Sequence, residues 1–385
     1  MEGFIPFSRP TIDEDEIAEV AQALRDGWVT EGPRVKRLED QFREAVGARH
    51  AIATASGTAA LHVALAAAGV GPGDEVITTP FTFVATVNAV RYVGATPVLA
   101  DIDVHDYDLS PEAVERRLSP RTRAIIPVHM AGQPCRMDEL LRLAAGQGAV
   151  VIEDAAHAAG ASYRGRPIGS IAPMTAFSFY ASKNMTTGEG GMLTLGDDGL
   201  AERARLLAHQ GLTRDSWARY SRNGHWHYDV PELGFKCNLS DVAAAIGIHQ
   251  LRKLPDFLAA RQRVASLYDR ALADLEEVEL PRVRPEVRHA WHLYIVRLRT
   301  EMLTIGRDEF IALLGQRGIA ASVHYIPVHH FSYYRRLLGD LSGELPNTER
   351  VAPCVVSLPI YPALRDEEAL TVAEAVRGIL RRHRR

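Results

Sequence analysis

Between residues 50 and 196, short runs of consecutive apolar residues alternate with longer segments whose apolar positions recur every three or four residues. The runs HAIATA (50–55), DEVITTP (74–80), TPVLADI (96–102), AIIPVHM (124–130), AVVIEDA (149–155), TAFSFY (175–180) and GMLTLG (191–196) predict strands. They are rich in Val, Ile and Ala without polar alternation, the pattern of strands covered on both faces. SGTAALHVALAAAG (56–69), FVATVNAVRYVG (83–94), SPEAVERRL (110–118) and RMDELLRLAAGQG (136–148) predict the helices between them. Such alternation implies an α/β unit with a mainly parallel sheet. Further on, SDVAAAIGIHQLRK (240–253) predicts a helix closed by Pro255, and DFLAARQRVASLYDRALADL (256–275) a second one. The pattern then changes to separate strands at 289–299 and 319–326, with helices near 307–317 and 366–381. This change places a domain boundary near residue 250. Residues 1–250 form a large domain, and 251–385 a smaller C-terminal α/β domain. The chain has no internal repeat and no low-complexity linker.

Composition narrows the class. The 385 residues are 46% hydrophobic and 24% charged, the balance of a packed globular chain. A net charge of −4 argues against nucleic acid as a partner, since duplex binders carry a basic excess or stripe. Cys135, Cys237 and Cys354 lack metal-ligand spacing, and their odd number fits reduced thiols of the cytosol. The N-terminus turns acidic before any apolar core of a secretory signal develops. The Ala-rich stretch 59–70 is interrupted by His62 and is shorter than the roughly 20 residues a membrane span needs. A cytoplasmic protein is expected.

Of the 44 basic residues only Lys36, Lys183, Lys236 and Lys253 are lysine, leaving 40 arginines. A lysine kept against such a bias is a candidate for amine chemistry, because a guanidinium stays protonated and forms no Schiff base. Ligands of open α/β sheets gather at the carboxyl ends of the strands, so the residues closing each apolar run carry the chemistry. Asp154 closes AVVIED, and alone it also suits an ordinary helix cap. Lys183 follows TAFSFY and precedes Gly188, Gly190 and Gly191; alone it also suits a solvated loop. Ser56-Gly57-Thr58 opens a helix whose first N–H groups and dipole favour an anion. No G-x-G-x-x-G follows any strand, so a dinucleotide fold lacks its fingerprint. A phosphate seat, a strand-end carboxylate and a lysine some thirty residues later are together what a pyridoxal 5′-phosphate (PLP) enzyme requires.

The chain resembles the DegT/StrS family of PLP-dependent sugar-nucleotide aminotransferases over nearly its whole length. The matching stretches are IPFSRP (5–10), GWVTEGP (27–33), SGTAALHVAL (56–65), GDEVITTPFTFVAT (73–86), IIPVHMAG (125–132), IEDAAHAAGASYRG (152–165), FSFYASKNMTTGEGG (177–191), HLYIVRL (292–298) and SLPIYP (357–362). Nine segments in the right order are far more specific than any one motif. GFKCNLSD (234–241) and EDAAHA (153–158) resemble the branch that forms UDP-4-amino-4-deoxy-L-arabinose.

The resemblance implies fold type I, with Lys183 as the Schiff-base lysine and Asp154 as the partner of the pyridine nitrogen. It implies that Phe83 puts an aromatic ring on the cofactor face, and that Gly57, Thr58 and Ser178 bind phosphate. Asn238 matches a residue that reaches the cofactor phosphate of the neighbouring subunit, which implies a homodimer with shared sites. His157 stands where much of the family has Gln, near the cofactor or sugar. Lys236-Cys237-Asn238 departs from the family's NYR, so no role of that Arg carries over. His324 and His329 fall in a stretch that lines the sugar pocket in relatives, and Trp28, Thr30 and Gly32 shape its mouth. The implied reaction moves an amino group from L-glutamate to the 4-keto group of a UDP- or dTDP-linked sugar, with ping-pong kinetics. Amination at C3 or of a cyclitol is the alternative within the family. A 3-dehydratase would carry His where Lys183 stands, and a non-catalytic regulator would not need Lys183, Asp154 and Ser178 together.

Overall fold

The computed structural model of the protein describes residues 3–213 and 228–385. Its central sheet has seven strands: β1 (His50–Thr54), β2 (Glu75–Thr78), β3 (Thr96–Leu99), β4 (Thr122–Ile126), β5 (Val150–Asp154), β8 (Met174–Ser178) and β9 (Gly191–Leu195), in the order β1-β9-β8-β5-β4-β2-β3. Each overlaps one of the seven apolar runs, with β4 and β8 starting two residues and one residue earlier than predicted. All pairings are parallel except those of β9 with β1 and β8. The reversal has a local cause. A parallel return needs a crossover, usually a helix, whereas residues 179–190 between β8 and β9 contain none. β9 therefore runs back beside β8, and the Lys183 loop is the turn between them.

Helices α2 (Pro33–Val46), α3 (Gly57–Ala67), α4 (Ala85–Tyr92), α5 (Pro111–Arg117), α6 (Met137–Gln147) and α7 (Asp198–Ala208) surround the sheet, and α1 (Glu14–Asp26) packs on the helix Asp241–Leu272. One core lies under α2 and α6, with Leu38, Phe42, Ile77, Ile125 and Phe177. Another lies under α3 and α7, with Leu61, Leu65, Ile126, Ile152 and Leu193. Coverage on both sides explains why the strands read as unbroken apolar runs. A small sheet of β6 (Ser162–Tyr163), β7 (Arg166–Pro167) and β11 (Val287–Arg288) flanks them.

The C-terminal half is built on an antiparallel sheet, β10 (Val278–Glu279), β12 (Tyr294–Leu298) and β13 (Val355–Leu358), with helices Arg307–Gly315 and Asp366–Arg382. Two expectations need correcting. Residues Asp241–Leu272 form one helix with Pro255 inside it. The missing N–H and ring clash cost about 3 kcal/mol, but Leu251, Leu254, Phe257 and Leu258 are all buried around the proline, and each such side chain contributes roughly 1.5–3 kcal/mol. Packing outweighs the break. Residues 319–326 form no strand: only Ile5–Ile319 and Ser322–Ser357 pair, as single bridges, before the chain leaves β13 and brings His324 and Tyr325 to a cavity.

The long helix runs through residue 250 without interruption. Ile248, Leu251 and Leu258 pack under the central sheet, while Val264, Tyr268 and Leu272 belong to the C-terminal core, so the change of core falls between Leu258 and Val264. Ile5, hydrogen-bonded to Gly318 and Ala320, also sits in the C-terminal core. Among the described residues no helix is long and apolar enough to cross a membrane.

Candidate active site

A cavity of about 530 Å³ opens at the carboxyl ends of the sheet strands and is closed from the C-terminal half by His292, His324 and Tyr325. β5 ends in Asp154 and β8 in Ser178, and the turn after β8 carries Lys183; all three line it. The start of α3 forms another wall. Ser56 caps that helix by accepting from the Ala59 N–H at 3.1 Å, which leaves Gly57 and Thr58 in its first turn facing the cavity. Gly57 is required there by contact: a Cβ would lie 2.8 Å from Ser178 Cβ. The missing side chain lets a strand-end hydroxyl and a helix N-terminus share one corner, an anion site by geometry and dipole.

Asp154 is buried. Its Oδ2 accepts from Thr86 Oγ1 at 2.7 Å and its Oδ1 from the Ala156 N–H at 3.1 Å. Burial raises its carboxyl, and the two hydrogen bonds and the Lys183 charge oppose that rise. Burial likewise drives the Lys183 ammonium from 10.5 to about 8, against the pull of Asp154. The cavity thus pairs a carboxylate held by two donors with an amine that is readily freed of its proton.

Phe83 is 58% exposed at the mouth, so its ring face is open to whatever enters. Three histidines line the inner wall, and burial lowers all of them: His157 and His292 well below the usual range, and His324 to about 4. Arg261 reaches from the long helix to the carbonyls of Trp291, His292 and Ile360 at 3.1, 3.2 and 2.9 Å, which fixes the backbone carrying His292.

Of the residues singled out in the sequence, Lys183, Asp154, Gly57, Thr58, Phe83, His157, Ser178 and His324 line this cavity. His329 does not. It sits on a short turn, Val328–His330, where its Nε2 and that of His330 lie 2.6 and 2.7 Å from Glu349 Oε1, beside a separate hollow. Trp28 and Thr30 lie away too: Trp28 packs beside Gly32, and the Thr30 carbonyl accepts from the Asp241 N–H. Asn238 pairs along the edge of β1 with Thr54, and its side chain accepts from Lys236. Thr86, His292 and Tyr325 were missed in the sequence. Thr86 closes the quoted stretch FTFVAT and could have been read as a donor one helical turn past Phe83; nothing local marks the other two.

These groups fit PLP: an anion corner built around an obligatory glycine, a buried acid, a lysine with a lowered pKa and an open aromatic face. A match to the DegT/DnrJ/EryC1/StrS aminotransferase family spans residues 10–377. The spore coat polysaccharide biosynthesis protein SpsC of Bacillus subtilis is 45% identical over 379 residues, which cover 98% of this chain and 97% of SpsC. The putative sugar aminotransferase Spr1654 of Streptococcus pneumoniae superposes with a TM-score of 0.92 in its PMP form (33% identity) and 0.91 in its PLP form (32%), each covering 98% of this chain and 99% of the other. PseC of Helicobacter pylori, an aminotransferase involved in pseudoaminic acid biosynthesis, superposes at 0.91 with 28% identity, covering 99% of this chain and all (100%) of PseC. The fold is that of type I PLP enzymes and the activity is PLP-dependent transamination of a sugar: the chain belongs to the DegT/DnrJ/EryC1/StrS aminotransferase family.

Proposed function

We propose that this enzyme transfers the amino group of L-glutamate to the 4-keto group of a UDP- or dTDP-linked sugar, and works as a homodimer with shared sites. The observation that carries the reading is one cavity holding the Lys183 amine, lowered to about 8, and the buried Asp154. PLP, when bound, supplies an electron-poor ring that accepts the electrons of a breaking Cα–H bond. Asp154 provides the negative charge that keeps a ring nitrogen protonated. Lys183 takes a proton as the free amine and returns it as the ammonium; an acid-base group titrating near working pH serves both directions. Gly57, Thr58 and Ser178 would hold the phosphate end, Phe83 would offer its aromatic face to the cofactor, and His157 would stand beside it. Glutamate and sugar use the cavity in turn, which predicts ping-pong kinetics.

The C4 assignment and the nucleotide rest on GFKCNLSD and EDAAHA, and the polysaccharide role of SpsC supports a sugar acceptor. Product regiochemistry tests it. Incubated with glutamate and matched 3-keto and 4-keto nucleotide sugars, the enzyme is expected to yield a product that NMR shows aminated at C4. Exclusive amination at C3, or turnover only with an unlinked cyclitol, overturns the assignment.

The shared-site reading rests on Asn238, which lies outside its own subunit's cavity lining. Lys183→Ala and Asn238→Ala proteins are each expected to be impaired, and mixing them should restore activity, because one site of every mixed dimer combines both wild-type residues. Absence of recovery after demonstrated subunit exchange refutes shared sites.

A further inference from the structure

In the cavity wall, His157 Nε2 lies 2.9 Å from the hydroxyl oxygen of Tyr325. The imidazole is enclosed between His292, at 4.4 Å between ring centroids, and Tyr325, nearly parallel to it at 5.9 Å and 18°. Its other nitrogen, Nδ1, is buried with no hydrogen-bond partner. Burial, and after it the nearby Lys183 ammonium, keeps the ring neutral, so it carries one proton on one of two nitrogens. Buried N–H groups without an acceptor are rarer than acceptors left unused. The proton therefore sits on Nε2, and His157 donates to the Tyr325 oxygen. The tyrosine's own hydrogen must point elsewhere.

That other direction is the cavity, which Tyr325 lines together with Phe83, Lys183 and His324. Among the described residues His157 is the only hydrogen-bond partner of this hydroxyl. The ring is fixed by His324, edge-on at 4.9 Å and 81°, itself anchored through Nδ1 to Ser357 Oγ of β13 at 2.8 Å. Burial holds the phenol well above its usual value, so it remains an O–H donor. The charged members of the lining are Lys183, Asp154 and Glu189, while the rings around Tyr325 are neutral. His157, His292 and His324 are all neutral, and among the described residues the lining contains no arginine. Carboxylates are recognised by charged forks; a fixed neutral donor flanked by neutral rings suits a hydroxyl of a neutral polyol.

We infer that Tyr325 donates this hydrogen to a hydroxyl oxygen of the bound sugar and so helps select which sugar is aminated, with His157 as the positioning residue that aims it. The inference rests on the sugar-aminotransferase reading, and not on the choice of C3 or C4 or of nucleotide. The test uses Tyr325→Phe holoenzyme, which keeps the ring, with the two half-reactions followed separately by cofactor absorbance. Without sugar, the spectrum is expected to match wild type and the glutamate half-reaction to stay within about 2-fold. The sugar half-reaction should lose roughly 10- to 100-fold in kcat/KM. Across a panel of keto-sugar nucleotides each lacking one hydroxyl, one deoxy sugar should cost the wild type the same factor and the variant nothing more. A shifted spectrum or equal loss in both half-reactions overturns the inference in favour of a bond to the cofactor. An unchanged sugar half-reaction, or independent losses for every deoxy sugar, also overturns it. If wild type converts no keto sugar while accepting glutamate, the sugar reading itself fails and the inference with it.

Discussion

A Lys183→Arg protein is expected to lose transamination by roughly 10⁴-fold or more, since it loses both the nucleophile and the acid-base group while keeping the positive charge. Arginine preserves the attraction to Asp154, so the substitution separates charge from amine chemistry. In the wild type, burial lowers Lys183 to about 8. At pH 7 about a tenth of it is then uncharged, against roughly 0.04% for an unperturbed lysine near 10.4. The sign of the pH effect follows: the reactive form is the unprotonated one, so PLP uptake by the cofactor-free protein should rise about tenfold per pH unit below 8 and level off above it. A plateau only near pH 10 would show the amine to be unperturbed. Borohydride reduction of the holoenzyme and peptide mapping should place the label on Lys183; labelling of Lys36, Lys236 or Lys253 refutes the assignment. Visible absorbance should be lost in Lys183→Arg.

Asp154→Asn should cost about 10²–10³ in kcat, the range for removing one preorganised charge or donor from a desolvated site. The substitution nearly preserves shape but removes the charge. The surrounding bonds make a graded test available. Thr86 donates to Asp154 Oδ2 at 2.7 Å and thereby offsets part of the rise that burial imposes on the carboxyl. Thr86→Val removes that donor, so Asp154 should titrate at higher pH. The ionised form is the active one, hence the acidic limb of kcat/KM should move to higher pH in Thr86→Val while the alkaline limb stays in place. An unshifted acidic limb would show that Asp154 does not govern it.

The same residues show how far the chain could be read unaided. Asp154 and Lys183 were identifiable because one closes a buried apolar run and the other lies in the turn just past one, and a run covered on both faces has a legible end: polarity returns where the strand leaves the sheet. Gly57 was legible as a small residue at a helix start, although its contact with Ser178 was not. The scarcity of lysine drew notice to Lys183 before any geometry was known.

His329 shows the opposite case. It shares a short stretch with His324, yet the turn Val328–His330 points it at Glu349 while His324 lines the cavity. Sequence distance cannot separate two residues whose directions depend on an irregular backbone. Pro255 misleads for a related reason: a local breaker is overridden by side chains buried against elements far away in the chain.

Local pattern alone therefore determined the strands of the central sheet, many of the helices and the residues that end them, because burial on two faces and helix capping act within a few residues. Contacts between distant segments decided the rest. The reversal of β9, the continuity of the long helix, Thr86 on Asp154 and Tyr325 on His157 each join or orient segments according to how the two halves pack. Residues 157 and 325 are 168 positions apart, and only the closure of the C-terminal half over the sheet brings their rings together.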